Sequence, residues 1–507
     1  MSRVQSLKLG AAAQMLPLAA GYGVNLVATP FVVYKLGLDE FGIWSITGAM
    51  AQYAALFDLG VSRAANRFVA LYHARADHEN ERSVVGVCVL VLTALGCLLF
   101  AIPLLVPDLL ERILETGDVS LTQALFLSAA TILVSGLLAR ALAAASFGRG
   151  RMVAASIGLS VYGVTTVMGG VIALLVTPEL LAYALGCAGG ACLGFCAVVT
   201  SILLDERRVV FGPPRLSLMR EIISFGVKGQ ALGAADIVIF QSGKVIAGLV
   251  AGPAAAGVYE LGSRLALGAQ AFGSAASVAL TTHLTRSFAD GGVAEILPEY
   301  PRLTQRNAAV GIFLPFLLAA TAFSAVPLWL GESNVAIVAV VMALSVALAV
   351  NVSSGVCTAA MLAIGRAGIL ALTSIADASL YLCVAIPLSL AFGFAGVVVA
   401  TAGWITSATI LGVWFLQSRV GIRMIDYIRS VLGPFATALV ALFVALPVGI
   451  FSAPHDRASA LLPFVLGAVT FSGVYLALGW RLHYLPRVKR QAPRTLVDEH
   501  VPGDEIA

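Results

Sequence analysis

Charge is what this sequence has least of. Asp, Glu, Lys and Arg make up 11% of its 507 residues, where a soluble domain carries about 25%. Together with a hydrophobic share of 59%, that shortage excludes a water-soluble globule. No soluble core could hide so much apolar surface, so the bilayer must act as the solvent. Long polar segments are also missing. The longest loop expected on the outer side, residues 107–120, is acidic and too short to fold alone. No GxxxxGK[ST] phosphate loop occurs, which excludes an ATP-hydrolysing module of that kind. The seven cysteines all lie in apolar segments. Cys192 and Cys196 share a helix face, but no His or acid stands at zinc-ligand spacing from them, so they read as small packing residues. Neither a metal nor a cofactor is expected. The net charge of +4 does not indicate nucleic acid, because in such a chain the placement of Lys and Arg matters more than their sum.

What is present is a series of apolar runs. Fourteen segments are long enough to span as helices, near 12–36, 41–66, 84–106, 121–146, 153–177, 180–204, 221–250, 254–286, 305–329, 334–364, 367–391, 395–418, 430–451 and 459–480. Arg3 and Lys8 ahead of the first run read as the flank of an uncleaved span. With the N-terminus inside, 25 Lys and Arg fall on the cytoplasmic side and only Lys35, Arg112 and Arg457 on the outer side. That bias supports fourteen spans with both termini inside. The tail from Arg481 is polar and proline-containing, and reads as unstructured.

The chain repeats itself. Gly37-Leu-Asp-Glu-Phe-Gly42-Ile-Trp44 matches Gly252-Pro-Ala-Ala-Ala-Gly257-Val-Tyr259 at an offset of 215, and Phe147-Gly148-Arg149 matches Ile364-Gly365-Arg366 at 217. Two anchors at equivalent loops argue for a duplicated six-span unit, with both copies in the same orientation. The expected organisation is an N-terminal lobe at 10–206, a C-terminal lobe at 217–420, two further spans within 430–480 and a tail at 481–507. Trp44 and Tyr259 are expected at the outer interface as aromatic anchors.

Charge returns in one place. Residues 225–266 hold Lys228, Asp236, Lys244, Glu260 and Arg264 on either side of a Gly252-Pro253 turn. Each charge deep in a spanning helix costs about 2.5–3.5 kcal/mol on insertion scales. Five on a lipid-facing surface are hard to explain, so they face one another or a watery cavity. Arg264 stands 12 residues past Gly252, about 18 Å along a helix and near mid-bilayer. Lys244 and Glu260 each stand 8 residues from that glycine, at one depth, where pairing is natural. Asp236 could counter Arg264 or carry a proton or cation. Lys228, near the cytoplasmic end, can snorkel or line an entrance. Asp58, Arg63 and Arg67, at the inner end of the second span, are an interfacial cluster or a cationic mouth. Asp377 and Asn351 suit helix-to-helix hydrogen bonds. Under the 215 offset, Thr29, Ser45 and Ala49 match Lys244, Glu260 and Arg264. The charge is therefore an asymmetry added to one copy of the repeat.

Several stretches resemble one family. LGLDEFGIWSI followed by LFDLGVSRAANRFVA, then residues 225–264, IGRAGILALTSIADASLYL and AFGFAGVVVATA, are similar to bacterial polysaccharide exporters of the Wzx type. These belong to the multidrug/oligosaccharidyl-lipid/polysaccharide exporter superfamily, and the resemblance covers about Gly10 to Leu416. It implies an all-α polytopic protein of the bacterial cytoplasmic (inner) membrane. Two six-helix lobes would form a V around a central, often cationic, cavity, with two C-terminal helices helping to hold a lipid tail. The implied activity is flipping of a polyprenyl-pyrophosphate-linked oligosaccharide, beside membrane lipid and with a polymerase and glycosyltransferases as pathway partners. Arg264 and Lys244 would then meet the pyrophosphate or an acidic sugar, with Arg63 and Arg67 drawing it in. Two alternatives stand beside this reading. A cation-coupled multidrug exporter of the same superfamily is one, although residues 14–36 lack the acid many of those carry in the first helix. A membrane glycosyltransferase using Asp39-Glu40 is the other, although that loop is only a tight turn.

Overall fold

A computed structural model describes residues 3–58, 60–206, 211–419, 421–482 and 484. The polar tail from 485 on lies outside them, as do Arg207 and Arg208. Every regular element among the described residues is helical. The first half comprises α1 (Arg3–Ala54), a 3-10 turn (Ala55–Asp58), α2 (Val61–Ala74), α3 (His78–Leu105), α4 (Pro107–Leu114), α5 (Val119–Gly148), α6 (Met152–Val176) and α7 (Leu180–Glu206). The second comprises α8 (Leu216–Ala251), α9 (Pro253–Gly291), α10 (Val293–Gly311), α11 (Phe313–Leu330), α12 (Val335–Ser353), α13 (Gly355–Ala363) and α14 (Ala367–Ser418). Helices α15 (Met424–Ser452) and α16 (Arg457–Arg481) follow. Two of these are pairs joined at a kink, α1 at Gly37 and α14 at Gly393. Nine helical stretches among the described residues are long and apolar enough to cross a bilayer. The protein is thus a multi-pass helical membrane protein.

Each expected segment overlies helix, but three are interrupted: 305–329 at Ile312, 334–364 at Ser354 and, most sharply, 41–66. The run 41–66 is not continuous: the helix tightens after Ala54 and restarts at Val61. The Asp58 carboxylate accepts the Gly60 N–H at 2.7 Å, and Gly60 adopts φ 66°. A short polar side chain has captured a backbone donor and broken the helix.

The duplication is written in the backbone. Gly37 (φ 77°, ψ 174°) and Gly252 (φ 86°, ψ 169°) adopt the same left-handed conformation, which a side chain would strain. The second anchor needs a correction of register. Gly365 matches Gly150 rather than Gly148, because both have φ 79° and both close a helix in the same way. Gly150 N–H donates to Phe147 and Arg151 N–H to Ser146, each at 2.9 Å. Gly365 N–H donates to Leu362 at 3.1 Å and Arg366 N–H to Met361 at 2.9 Å. These are paired Schellman ends, and they restore a uniform offset of 215. Arg151 caps the Asp205 carbonyl and Arg366 that of Arg419, at the ends of α7 and α14.

The two halves touch unevenly. At the end bearing the Gly37 and Gly252 turns, one apolar core takes Val32, Phe41, Leu174 and Tyr183 from the first half and Ile239, Tyr259, Val340 and Tyr381 from the second. At the opposite, arginine-rich end the cores are separate. One lies among α2, α3 and α5, the other among α9, α10, α13, α14 and α15. Helix α8 does not stay within the expected C-terminal lobe: its Leu218 and Ile222 are buried in the first half's core. Tyr259 is fully buried, its hydroxyl 3.3 Å from Thr401 Oγ1, so it packs the core rather than anchoring at an interface. Trp44 is half-buried edge-on against Tyr183.

The joined end is a backbone-to-backbone contact. A Cβ at Gly42 would overlap the Pro253 carbonyl, and one at Gly257 would overlap that of Leu38. These positions exchange under the 215 offset, so the repeat packs on itself about a pseudo-twofold axis. Small residues permit this approach, which in lipid is held by close packing. Gly42→Ala is therefore expected to destabilise by about 1–3 kcal/mol, as overpacking does. Gly48→Ala, where the methyl meets open space, is the control. Thermal unfolding of the purified protein in detergent checks this, and equal midpoints for the two variants would contradict it.

Candidate functional site

The α8–α9 hairpin sets the first group of charges. Pro253 opens α9 beside the Gly252 turn, which lays Lys244 of α8 against Glu260 of α9. One helical turn on, Arg264 shares the Glu260 face. Glu260 Oε2 accepts from Lys244 Nζ at 2.6 Å, and Oε1 accepts from Arg264 Nη2 at 2.7 Å and Nε at 3.2 Å. One carboxylate thus serves two cations. Arg264 also crosses between the halves, its Nη1 donating to Thr29 Oγ1 of α1 at 2.7 Å. The Thr29 hydroxyl gives its own proton to the Asn25 carbonyl at 2.5 Å, so its lone pair is turned to the guanidinium. Arg264 keeps 25% of its side chain exposed, against 13% for Lys244 and Glu260. It is the most exposed member of the group.

A second group lies further along α8. Asp58 is buried with Arg63 of α2 and Arg140 of α5 in electrostatic reach. Arg63 faces Gly233 of α8, and Arg67 stacks over the Phe225 ring at 4.2 Å. Gly233 and Lys244 are 11 residues apart on that helix, so the two groups stand about 16 Å apart along its axis. Arg140 was not singled out by sequence reasoning, which counted it with the inner loops. Its signal was its position, eight residues inside the end of α5, about 12 Å into the helix. It is exposed and has no hydrogen-bond or ion-pair partner among the described residues. Lys228 lies on α8, but its side chain is outside the described residues.

Asp236 is not the counter-ion of Arg264. It lines a separate cavity of about 670 Å³ built mainly from the second half, with Tyr22 of α1 also in its wall, together with Asp377, Gln241, Gln270 and Asn351. No Lys or Arg is among the described residues lining that cavity. Asn351 does join helices: it accepts from Gln270 of α9 at 2.9 Å and donates to Thr409 of α14 at 3.2 Å. Among the described residues the hairpin cations and the acids Asp236 and Asp377 therefore occupy different places, an arrangement the linear sequence did not disclose.

A family profile described as "Polysaccharide biosynthesis protein" matches residues 10–280. No curated protein sequence matches the chain. Solved structures do. A multidrug resistance MATE family transporter of the MOP superfamily, inward-facing, aligns with TM-score 0.64 at 14% identity, over 80% of this chain and 94% of that one. The lipid II flippase MurJ, in an inward closed conformation, aligns with TM-score 0.65 at 14% identity, over 94% and 99%. A MOP superfamily transporter from Pyrococcus furiosus, noted for a reversed polarity of its binding pocket, aligns with TM-score 0.57 at 14% identity, over 82% and 95%. Such low identities establish the fold.

The shared carboxylate makes a stability prediction. Glu260→Gln leaves two mostly buried cations without that acid and is expected to cost about 3–5 kcal/mol. The charge-free combination Lys244→Met, Glu260→Gln and Arg264→Met should recover most of that loss. Melting of the purified variants decides it, and a Glu260→Gln protein that melts with the wild type would contradict it.

Proposed function

The chain belongs to the polysaccharide biosynthesis protein family, and from that premise we propose that it is a flippase. Its cargo in this reading is a polyprenyl-pyrophosphate-linked oligosaccharide, carried across the bacterial cytoplasmic membrane by alternating access. The chain crosses fourteen times with its arginine-rich end in the cytoplasm. The observation that carries the reading is Arg264, a partly exposed guanidinium that bridges the two halves while sharing the Glu260 carboxylate with Lys244. A planar fork of donors suits phosphate oxygens, and the hairpin group keeps one net positive charge to meet them.

The mechanism follows from the two groups on α8. Arg63, Arg67 and Arg140 draw the anionic headgroup from the inner leaflet into the space between the separate cores. The headgroup then passes about 16 Å along α8 to Arg264 and Lys244. There its oxygens compete with Thr29 and Glu260 for the same donors. Replacing the Arg264–Thr29 bond loosens a contact between the halves, which favours parting of the Gly37 and Gly252 turns and closure at the arginine-rich end. The sugar follows the headgroup while the lipid tail stays in the bilayer. An interior-negative potential favours outward movement of an anion by about 2.3 kcal/mol per charge per 100 mV.

The acidic cavity supports coupling to a cation, the property of the alternative exporter reading. Asp236 and Asp377 line it without a facing Lys or Arg among the described residues, as a proton or metal-cation relay requires. The transferase reading draws less support, because Asp39 and Glu40 sit at the turn where the two halves touch.

Proteoliposomes carrying a fluorescent lipid-linked oligosaccharide test the proposal through the accessibility of the label to a membrane-impermeant quencher. Wild type should expose the inner-leaflet label within the assay. Arg264→Ala should slow this at least tenfold while inserting normally, and Asp236→Asn should remove any dependence on a cation gradient. Wild-type flipping by Arg264→Ala, or sugar transfer without flipping, would overturn the reading.

A further inference from the structure

The transport reading leaves one group of side chains unused. At the arginine-rich end of the first half, the α2–α3 turn brings His73 and His78 against Glu81. The two Nδ1 atoms lie 3.2 and 3.1 Å from Glu81 Oε2, and all three atoms fall within 4.8 Å of one another. Glu81 is buried, whereas the imidazoles keep 37% and 50% of their side chains exposed. The other carboxylate oxygen of Glu81 accepts from Arg149 Nε. Arg149 Nη1 in turn donates to both oxygens of Glu206 at 2.9 Å, and Ser146 Oγ donates to Glu206 at 2.8 Å.

We infer that His73 Nδ1, His78 Nδ1 and Glu81 Oε2 form a binding site for a zinc-like divalent transition metal that clips α2 to α3. The spacing is the first argument. Around a tetrahedral metal with bonds of about 2.0–2.1 Å, neighbouring donor atoms stand about 3.3 Å apart. The carboxylate oxygen is already at that distance from both imidazoles, so an ion can replace two N–H···O bonds with little movement. Charge is the second argument. Glu81 and Glu206 share the Arg149 guanidinium, so among the described residues two buried carboxylates meet one guanidinium. Rigidity is the third. Arg149 holds the carboxylate from behind, fixing the oxygen that faces the metal, as partners of metal ligands commonly do. Three protein ligands leave a fourth position for water, and the exposed imidazole edges give an ion its way in.

The neighbours are consistent with this. Glu79 is engaged by Arg215, and the Asp77 carboxylate accepts from the Asn80 backbone and side chain, so neither acid competes for the ion. Occupancy would pin the far end of α2, the helix that presents Arg63 and Arg67 to the space between the halves. The site is thus placed to tune the entrance without touching the cargo.

Zinc titration of the purified, metal-free protein in detergent against a chromophoric indicator tests the site. One ion per chain is expected. His73→Ala or His78→Ala should weaken it at least tenfold and the double variant should lose it, while His283→Ala, an exposed histidine paired with Glu299, should not change it. Zinc should raise the melting temperature of wild type and not of the double variant. Cobalt bound to the wild type supplies a readout that needs no variant: visible bands of a tetrahedral nitrogen-oxygen site without thiolate charge transfer. The proposal is overturned by equal zinc binding in the double variant, by a thiolate cobalt spectrum, or by no stoichiometric ion in the wild type.

Discussion

Backbone touches backbone where Gly42 meets Pro253 and Gly257 meets Leu38, and the rest of the architecture depends on that approach. In lipid there is no hydrophobic drive to hold helix against helix, so closeness must come from small residues. The duplicated turn supplies them twice, and the two copies pack on one another about their own pseudo-axis. With the halves locked at this end, a shared core can form around Tyr259 and Tyr183. At the other end the Gly60 backbone touches Gly226 of α8, so α8 joins the first half's core there while the second half's core forms apart. A duplicated scaffold joined at one end is already a hinge.

Onto this symmetric frame the sequence adds asymmetric charge. Thr29 stands where Lys244 stands in the other copy, and it is Thr29 that Arg264 reaches across to bond. Ser45 and Ala49, the counterparts of Glu260 and Arg264, are buried and uncharged. A single carboxylate neutralises one cation of two, so the group is stable enough to fold yet not charge-balanced. Full pairing would have left nothing to attract an anion, and no pairing would have left two bare cations between helices.

Much of this could be read from residue order, and the failures have physical causes. The helices followed from apolar runs, because lipid admits little else. The Lys244–Glu260 and Glu260–Arg264 contacts followed from equal distance to one glycine and from i,i+4 spacing. The break at Gly60 did not, because it depends on one Asp58 side chain taking one backbone donor. Tyr259 was misplaced because depth was judged from the turn alone, and the other half of the protein covers it. Asp236 was matched to Arg264 by depth as well, but helix rotation turned it into a different cavity. The His73–His78–Glu81 group is not legible in residue order because its three side chains come together only through the α2–α3 turn.

Helix α8 ties these parts together. By the repeat it belongs to the second half, yet Leu218 and Ile222 are buried in the first half's core and Phe225 lies under Arg67. Its other end is committed to the second half through Lys244 and Glu260. If the halves rock about the joined glycine turns, α8 cannot follow both rigidly and must slide against one of them or bend. The residues that hold its lower part, Arg63 facing Gly233 and Arg67 on Phe225, are the cations to which the proposed mechanism gives the incoming headgroup. An anion that engages them therefore acts on the same contacts that decide which half α8 moves with. In the proposed mechanism, cargo recognition and conformational change become one rearrangement of one helix.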